Sequence, residues 1–159
     1  MDNQTFNAKR CFLQAEQQLN STPEKIFPLL CPTREYDWIE NWKCDLVYSK
    51  SGFAELDCIF KTAFPGEGEE TWITDRMEPN KLIQFIRVSD LRVIRYSISL
   101  TSSKIGTTTA KWEQTISALN EDGNRSVDRY SNSDFEKLIK GLETQINHYL
   151  ATGEMYRQS

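Results

Sequence analysis

Between Ser133 and Thr152, apolar residues recur at Phe135, Leu138, Ile139, Leu142, Ile146, Tyr149 and Leu150. Spacings of three and four place them in one stripe along an α-helix. Ser133 with Glu136 reads as a capping box at its start. Gly153 supplies the stop, since glycine enters the left-handed conformation without steric cost. A helix of about twenty residues is roughly 30 Å long. A rod of that length with one apolar side, following a run of strands, must lay that side against a sheet.

The strands come first. Lys9 to Leu19 places Leu13, Ala15 and Leu19 on one face, with Gln14, Glu16 and Gln18 between them. Thr22 and Pro23 then open a short helix, with Ser21 and Glu24 as an alternative capping box. Pro28 and Pro32 cut it short, and a second short helix is expected over Thr33 to Glu40. Further strands are expected over Leu46–Ser49, Ala54–Phe64, Glu70–Met77, Lys81–Val88, Arg92–Thr101 and Thr107–Leu119. Turn signals separate them at Lys50-Ser51-Gly52, Pro65-Gly66-Glu67-Gly68, Glu78-Pro79-Asn80, Ser89-Asp90 and Lys104-Ile105-Gly106. Asn120 to Asn132 is polar and reads as a loop. The order is β-α-α-β6-α, an α+β chain. Short turns between consecutive strands imply a curved antiparallel sheet wrapped around the long C-terminal helix.

Composition narrows the function classes. The chain has 159 residues, 38% hydrophobic and 26% charged, enough for one domain with a core. Its net charge of −4 argues against a general nucleic-acid partner, which needs excess Lys and Arg. No apolar run reaches the ~20 residues of a membrane span. Met1 to Asn7 lacks the apolar core of a signal peptide, so the expected location is cytoplasmic. Residues 1–7 are expected to fray, residues 8–153 to form the domain and residues 154–159 a tail. Cys11, Cys31, Cys44 and Cys58 include no Cys-x-x-Cys pair, and His148 is the single histidine. The expectation is unpaired thiols, no metal site and no cofactor.

The residue order from Cys11 to Gly153 resembles the START-like, or polyketide cyclase/Bet v1-like (SRPBCC), superfamily, whose fold is called helix-grip. The stretch from Ser21 to Trp42, STPEKIFPLLCPTREYDWIENW, is similar to the two-helix segment of an uncharacterised bacterial branch. The closing His148-Tyr149-Leu150-Ala151-Thr152-Gly153 is similar to the end of that branch's C-terminal helix. The resemblance implies a pocket for a hydrophobic or amphipathic small molecule. It implies no single chemistry, because the superfamily holds lipid carriers, receptors, cyclases, dehydratases and chaperone partners.

The residues offer candidates for such a pocket. If the second short helix reaches Trp42, Trp38 and Trp42 share one face with Glu35 and Ile39, and either close a cavity mouth or seal a lid onto the sheet. Phe60, Trp72, Tyr96 and Trp112 come from four strands and can all point to the concave side. Arg87 points inward if Ile83 and Phe85 do, and outward if Leu82, Ile86 and Val88 do. Leu142 and Ile146 bring the helix stripe to the same space. Arg95 is expected in solvent. Glu70, Asp75 and Glu113 are expected in cross-strand ion pairs on a solvated face. His148 leaves the apolar stripe and is expected to be exposed. Gly141, inside the helix, allows a close approach or is simply tolerated.

Three functions follow. The first is a binding protein for a hydrophobic or amphipathic ligand, lipid-like or aromatic, held between sheet and helix; the scarcity of catalytic residue types favours it. The second is a cyclase- or dehydratase-like enzyme, which needs a buried titratable group beside its substrate; Tyr96, Arg87 and Glu113 are its candidates. The third is a protein-interaction domain of the chaperone-partner kind, which would show an exposed apolar patch.

Overall fold

The computed structural model describes residues 5–158. Seven antiparallel strands form one curved sheet: β1 (Arg10–Leu19), β2 (Asp45–Tyr48), β3 (Ile59–Phe64), β4 (Gly68–Glu78), β5 (Leu82–Val88), β6 (Arg92–Lys104) and β7 (Thr107–Ala118). Their spatial order is β1-β7-β6-β5-β4-β3-β2. Six consecutive strands form the meander, and β1 closes the sheet by pairing with β7, Ala15 opposite Trp112. Helix α1 (Pro23–Ile26) runs into a 3₁₀ turn at Phe27–Leu30, and a second 3₁₀ turn spans Glu35–Asp37. Helices α2 (Glu121–Val127) and α3 (Asn132–Thr152) follow the sheet. The α+β class and the long C-terminal helix are as expected.

Strict alternation builds the strands. In β7 every second residue from Thr108 to Ala118 is buried, and in β6 Arg92, Ile94, Tyr96, Ile98 and Leu100 are buried while Arg95 is exposed. The inner face meets α3 through Phe135, Ile139 and Ile146. The polar side of the same helix does separate work at the free edge of β1. Asn132 accepts from the backbone N–H of Gln14, Glu143 from that of Gln18 and Asn147 from that of Asn20, at 2.8, 2.8 and 2.9 Å. An open strand edge is a template for unwanted pairing, and these side chains satisfy its donors. The helix therefore lies along β1 as well as over the concave face.

Four expectations are corrected. The cap of α3 is Ser131, whose hydroxyl accepts from the Asp134 N–H at 3.1 Å, not Ser133. The strand expected from Ala54 starts at Ile59, because Asp57 takes φ +67° and breaks the extended run, leaving Leu56 exposed. The second helix over Thr33–Glu40 contracts to one 3₁₀ turn flanked by further turns. The loop after β7 contains α2. Asn120 caps it by accepting from the Gly123 N–H at 2.8 Å, and Glu121 and Asp122 suit the positive end of the helix. A Cβ at Gly123 would lie 2.1 Å from the Leu91 carbonyl oxygen, so glycine is what lets α2 press onto the β5–β6 turn. Nothing lies within 4 Å of a Cβ at Gly141, which marks no close approach.

Gly153 takes φ +75° at the end of α3, as a left-handed cap requires. The tail then folds back, with Tyr156 edge-on to His148 at 5.4 Å and the Gln158 N–H near the Glu40 carboxylate. His148 is thus half-buried, correcting the expected exposure. All four cysteines are free, Cys31 and Cys58 fully buried. Of the expected frayed start, residues 1–4 lie outside the described residues, as does Ser159 of the tail.

Candidate functional site

Between the sheet, the 35–42 segment and α3 lies a cavity of about 520 Å³. Its sheet wall is a ladder of five aromatic rings, one from each of β3 to β7: Phe60, Trp72, Phe85, Tyr96 and Trp112. Phe60 stacks on Trp72 at 5.1 Å, and Phe85 meets both edge-on at 5.9 and 5.6 Å. Tyr96 lies 6.1 Å from Trp72 and 5.9 Å from Trp112. The indole N–H groups are occupied in the wall itself. Trp72 donates to the Thr62 hydroxyl and Trp112 to the Gln17 side chain, each at 2.8 Å. Gln17 in turn donates to the Ile139 carbonyl, which ties wall to helix. Ring faces are left for the cavity.

One end of this apolar space is polar. Arg87 is buried, as are Ile83 and Phe85 on the same face of β5, so the inward alternative holds. Its guanidinium grips the Glu70 carboxylate through Nε at 3.2 Å and Nη2 at 2.6 Å, and lies 4.1 Å over the Trp72 ring. Arg92, also buried, reaches Glu70 at 3.6 Å and contacts Glu67. The expectation for Glu70 is therefore overturned: it is fully buried and carries the inner ion pair. Trp72 sits opposite Arg87 in the β4–β5 register, and Glu70 shares the face of Trp72, which brings the carboxylate to the guanidinium. Asp75 and Glu113 do stay on the outer side, but not in cross-strand ion pairs: Asp75 accepts from the neutral Gln84 amide, and Glu113 pairs with Lys111 of its own strand.

At the lid, the two tryptophans divide. Trp42 lines the cavity, 5.3 Å from Phe64, and donates to the Pro32 carbonyl at 2.8 Å. Trp38 is fully buried outside the cavity wall, donating to the Leu29 carbonyl at 2.7 Å. Leu142 lines the cavity; Ile146 is buried beyond it. Glu35, adjacent to an Arg34 that pairs with Asp37, also lines the space. Its side chain is only half-buried, yet burial against the cavity raises its carboxyl well above the usual range. Burial likewise pushes up the Tyr96 phenol, outweighing the nearby Arg87.

Wall residues outside the candidate set include Glu67, Arg92, Gln114, Tyr130 and Phe135. Arg92 and Gln114 were accessible to parity, since they alternate with Ile94 and Trp112. Glu67 and Tyr130 sit in connections, where no period applies.

No family model matches the sequence, and no curated protein does. Solved structures do match. Norcoclaurine synthase from Thalictrum flavum, a point mutant in complex with a transition-state analogue, is 10% identical with a TM-score of 0.65, over 92% of this chain and 99% of its own. The major latex-like protein 151 of Panax ginseng is 13% identical with a TM-score of 0.62, over 88% and 97%. A protein from Mesorhizobium loti is 19% identical with a TM-score of 0.63, over 87% and 98%. The chain has the START-like, Bet v1-like helix-grip fold. Among the described residues, no helix is long and apolar enough to cross a membrane.

Proposed function

We propose that the chain binds an amphipathic small molecule in the cavity between sheet and α3. One observation carries the reading: five aromatic rings surround about 520 Å³ of space instead of filling it, and charged groups such as Arg87 and Arg92 line the same space. Ligand sites of small molecules are typically clefts of about 300–1,000 Å³ built this way. Burial of the ligand's apolar body contributes about 25 cal/mol per Å² removed from water. A norcoclaurine synthase of the same fold has been seen in complex with dopamine and hydroxybenzaldehyde, which is in keeping with the reading. The test is titration with Nile red, an uncharged apolar fluorophore, against wild type and Leu142→Trp, whose larger side chain projects into the cavity. Saturable one-to-one binding that the variant weakens about tenfold or more is expected. No saturable binding by the folded wild type overturns the reading.

Glu35 favours a second reading, an acid–base enzyme of the cyclase or dehydratase kind. A carboxyl whose affinity for its proton is raised by burial at an aromatic cavity can give that proton to a bound substrate. Its pH signature has a definite sign. Because the folded-state value is raised, the native chain holds more protons than the unfolded one above the ordinary carboxyl range. Stability then falls as pH rises through that window. Glu35→Gln removes the fall, so urea midpoints should diverge as pH rises from about 5 to about 8, with the variant the more stable at the higher pH. Parallel pH profiles for the two proteins would show that Glu35 is ionised and solvated, and this reading would go.

A further inference from the structure

Arg92 is an unusual partner in the polar end of the cavity. It is buried to 3% exposure, and its Nε has no hydrogen-bond partner among the described residues. Glu70, the carboxylate beside it, is already gripped twice by Arg87 and stands 3.6 Å away. Its close partner is Glu67, whose side chain is 38% exposed. Glu67 comes from the β3–β4 turn, where Gly66 and Gly68 on either side take φ +81° and +72°. Those glycines hold the tight turn, and the partly exposed Glu67 side chain can reach solvent by rotating about its own bonds. Glu67, Glu70, Arg87 and Arg92 form one linked group here, two carboxylates against two guanidiniums; with Glu67 withdrawn that group holds one positive charge in excess.

Resting on the cavity reading, we propose that Glu67 is an internal stand-in for a ligand carboxylate. An amphipathic monocarboxylate lays its apolar body along the aromatic ladder and displaces Glu67 from Arg92. The guanidinium offers the incoming group the contact Glu67 leaves, and its unpartnered Nε a second one. Arginine binds carboxylates through two such parallel bonds. The Tyr130 ring, 5.7 Å from the guanidinium, helps hold it in place. Glu67 keeps the buried arginine paired when no ligand is present, since an uncompensated buried charge is strongly destabilising.

The experiment is isothermal titration calorimetry with naphthalene-2-acetate and its uncharged analogue naphthalene-2-acetamide. Wild type, Glu67→Gln and Arg92→Met are compared at pH 7. The acid is expected to bind wild type about tenfold tighter than the amide, as a charge-assisted bidentate contact implies. Glu67→Gln, on a half-exposed turn, removes the charged competitor and should tighten the acid by about fivefold more than it changes the amide. Arg92→Met, if folded, brings the acid to the amide's level. Equal binding of acid and amide overturns the proposal and leaves the cavity reading standing. An acid preference untouched by Glu67→Gln also overturns it. If neither compound binds while Nile red does, this inference falls and the cavity reading stands; if Nile red fails as well, both fall.

Discussion

Glu70→Ala is expected to cost about 3–5 kcal/mol of folding stability, the range for removing one partner of a buried pair. The carboxylate is fully buried and receives two hydrogen bonds from Arg87, with Arg92 at 3.6 Å. Its loss leaves Arg87 buried between Trp72 and Tyr96, whose rings lie 4.1 and 5.6 Å from the guanidinium carbon. Ring faces attract a cation, but by about 0.5–2 kcal/mol, too little to replace the carboxylate. The double variant Glu70→Leu/Arg87→Met should recover most of the loss, because apolar replacement of a whole buried pair is often neutral or stabilising. Urea denaturation of wild type, the single and the double variant gives the comparison. A single variant within about 0.5 kcal/mol of wild type would mean that water reaches Arg87 and that this end of the cavity is wet.

The pair also shows where sequence reasoning stops. Alternation in β6 and β7 was legible because one face of each strand is apolar, and the stripe of α3 and its Gly153 stop were legible for the same kind of reason. The aromatic wall follows from parity on five strands. Glu70 shares the parity of Trp72, so its inward direction was open to reading as well. What argued against it was the cost of burying a carboxylate, and only a partner on the next strand removes that cost. The partner depends on register. A shift between Thr74 and Arg76 changes the phase of β4, so that Thr74 and Met77 both lie toward the inside and Trp72 stands opposite Arg87. No period in a single strand reports its pairing with another. Helix α2 was hidden differently: seven residues make two turns, too few for a stripe, and only Asn120 with the acidic first turn marks it. Glu35 was grouped with Trp42 on an expected helical face, but the segment is built from turns, and no helical period reports the burial its carboxyl meets there.

Trp38→Ala should cost about 3–5 kcal/mol, the range for deleting a large buried aromatic. The indole is fully buried, and its N–H donates to the Leu29 carbonyl across the lid at 2.7 Å. Truncation leaves a void and an unpaired carbonyl together. Trp38→Phe separates the two costs, keeping most of the ring volume and losing the hydrogen bond, and should cost about 1–3 kcal/mol. Trp42→Ala should behave otherwise, since Trp42 is half-buried and faces the cavity. Its stability loss should be the smaller, and its effect on Nile red binding the larger. The Trp38 variants, measured at a temperature where they remain folded, should bind the dye within about twofold of wild type. The four proteins need only a thermal melt and a dye titration each. A reversed pattern, with Trp38 controlling binding and Trp42 controlling stability, would place the ligand on the other side of the lid, and the cavity described above would be a gap in the packing.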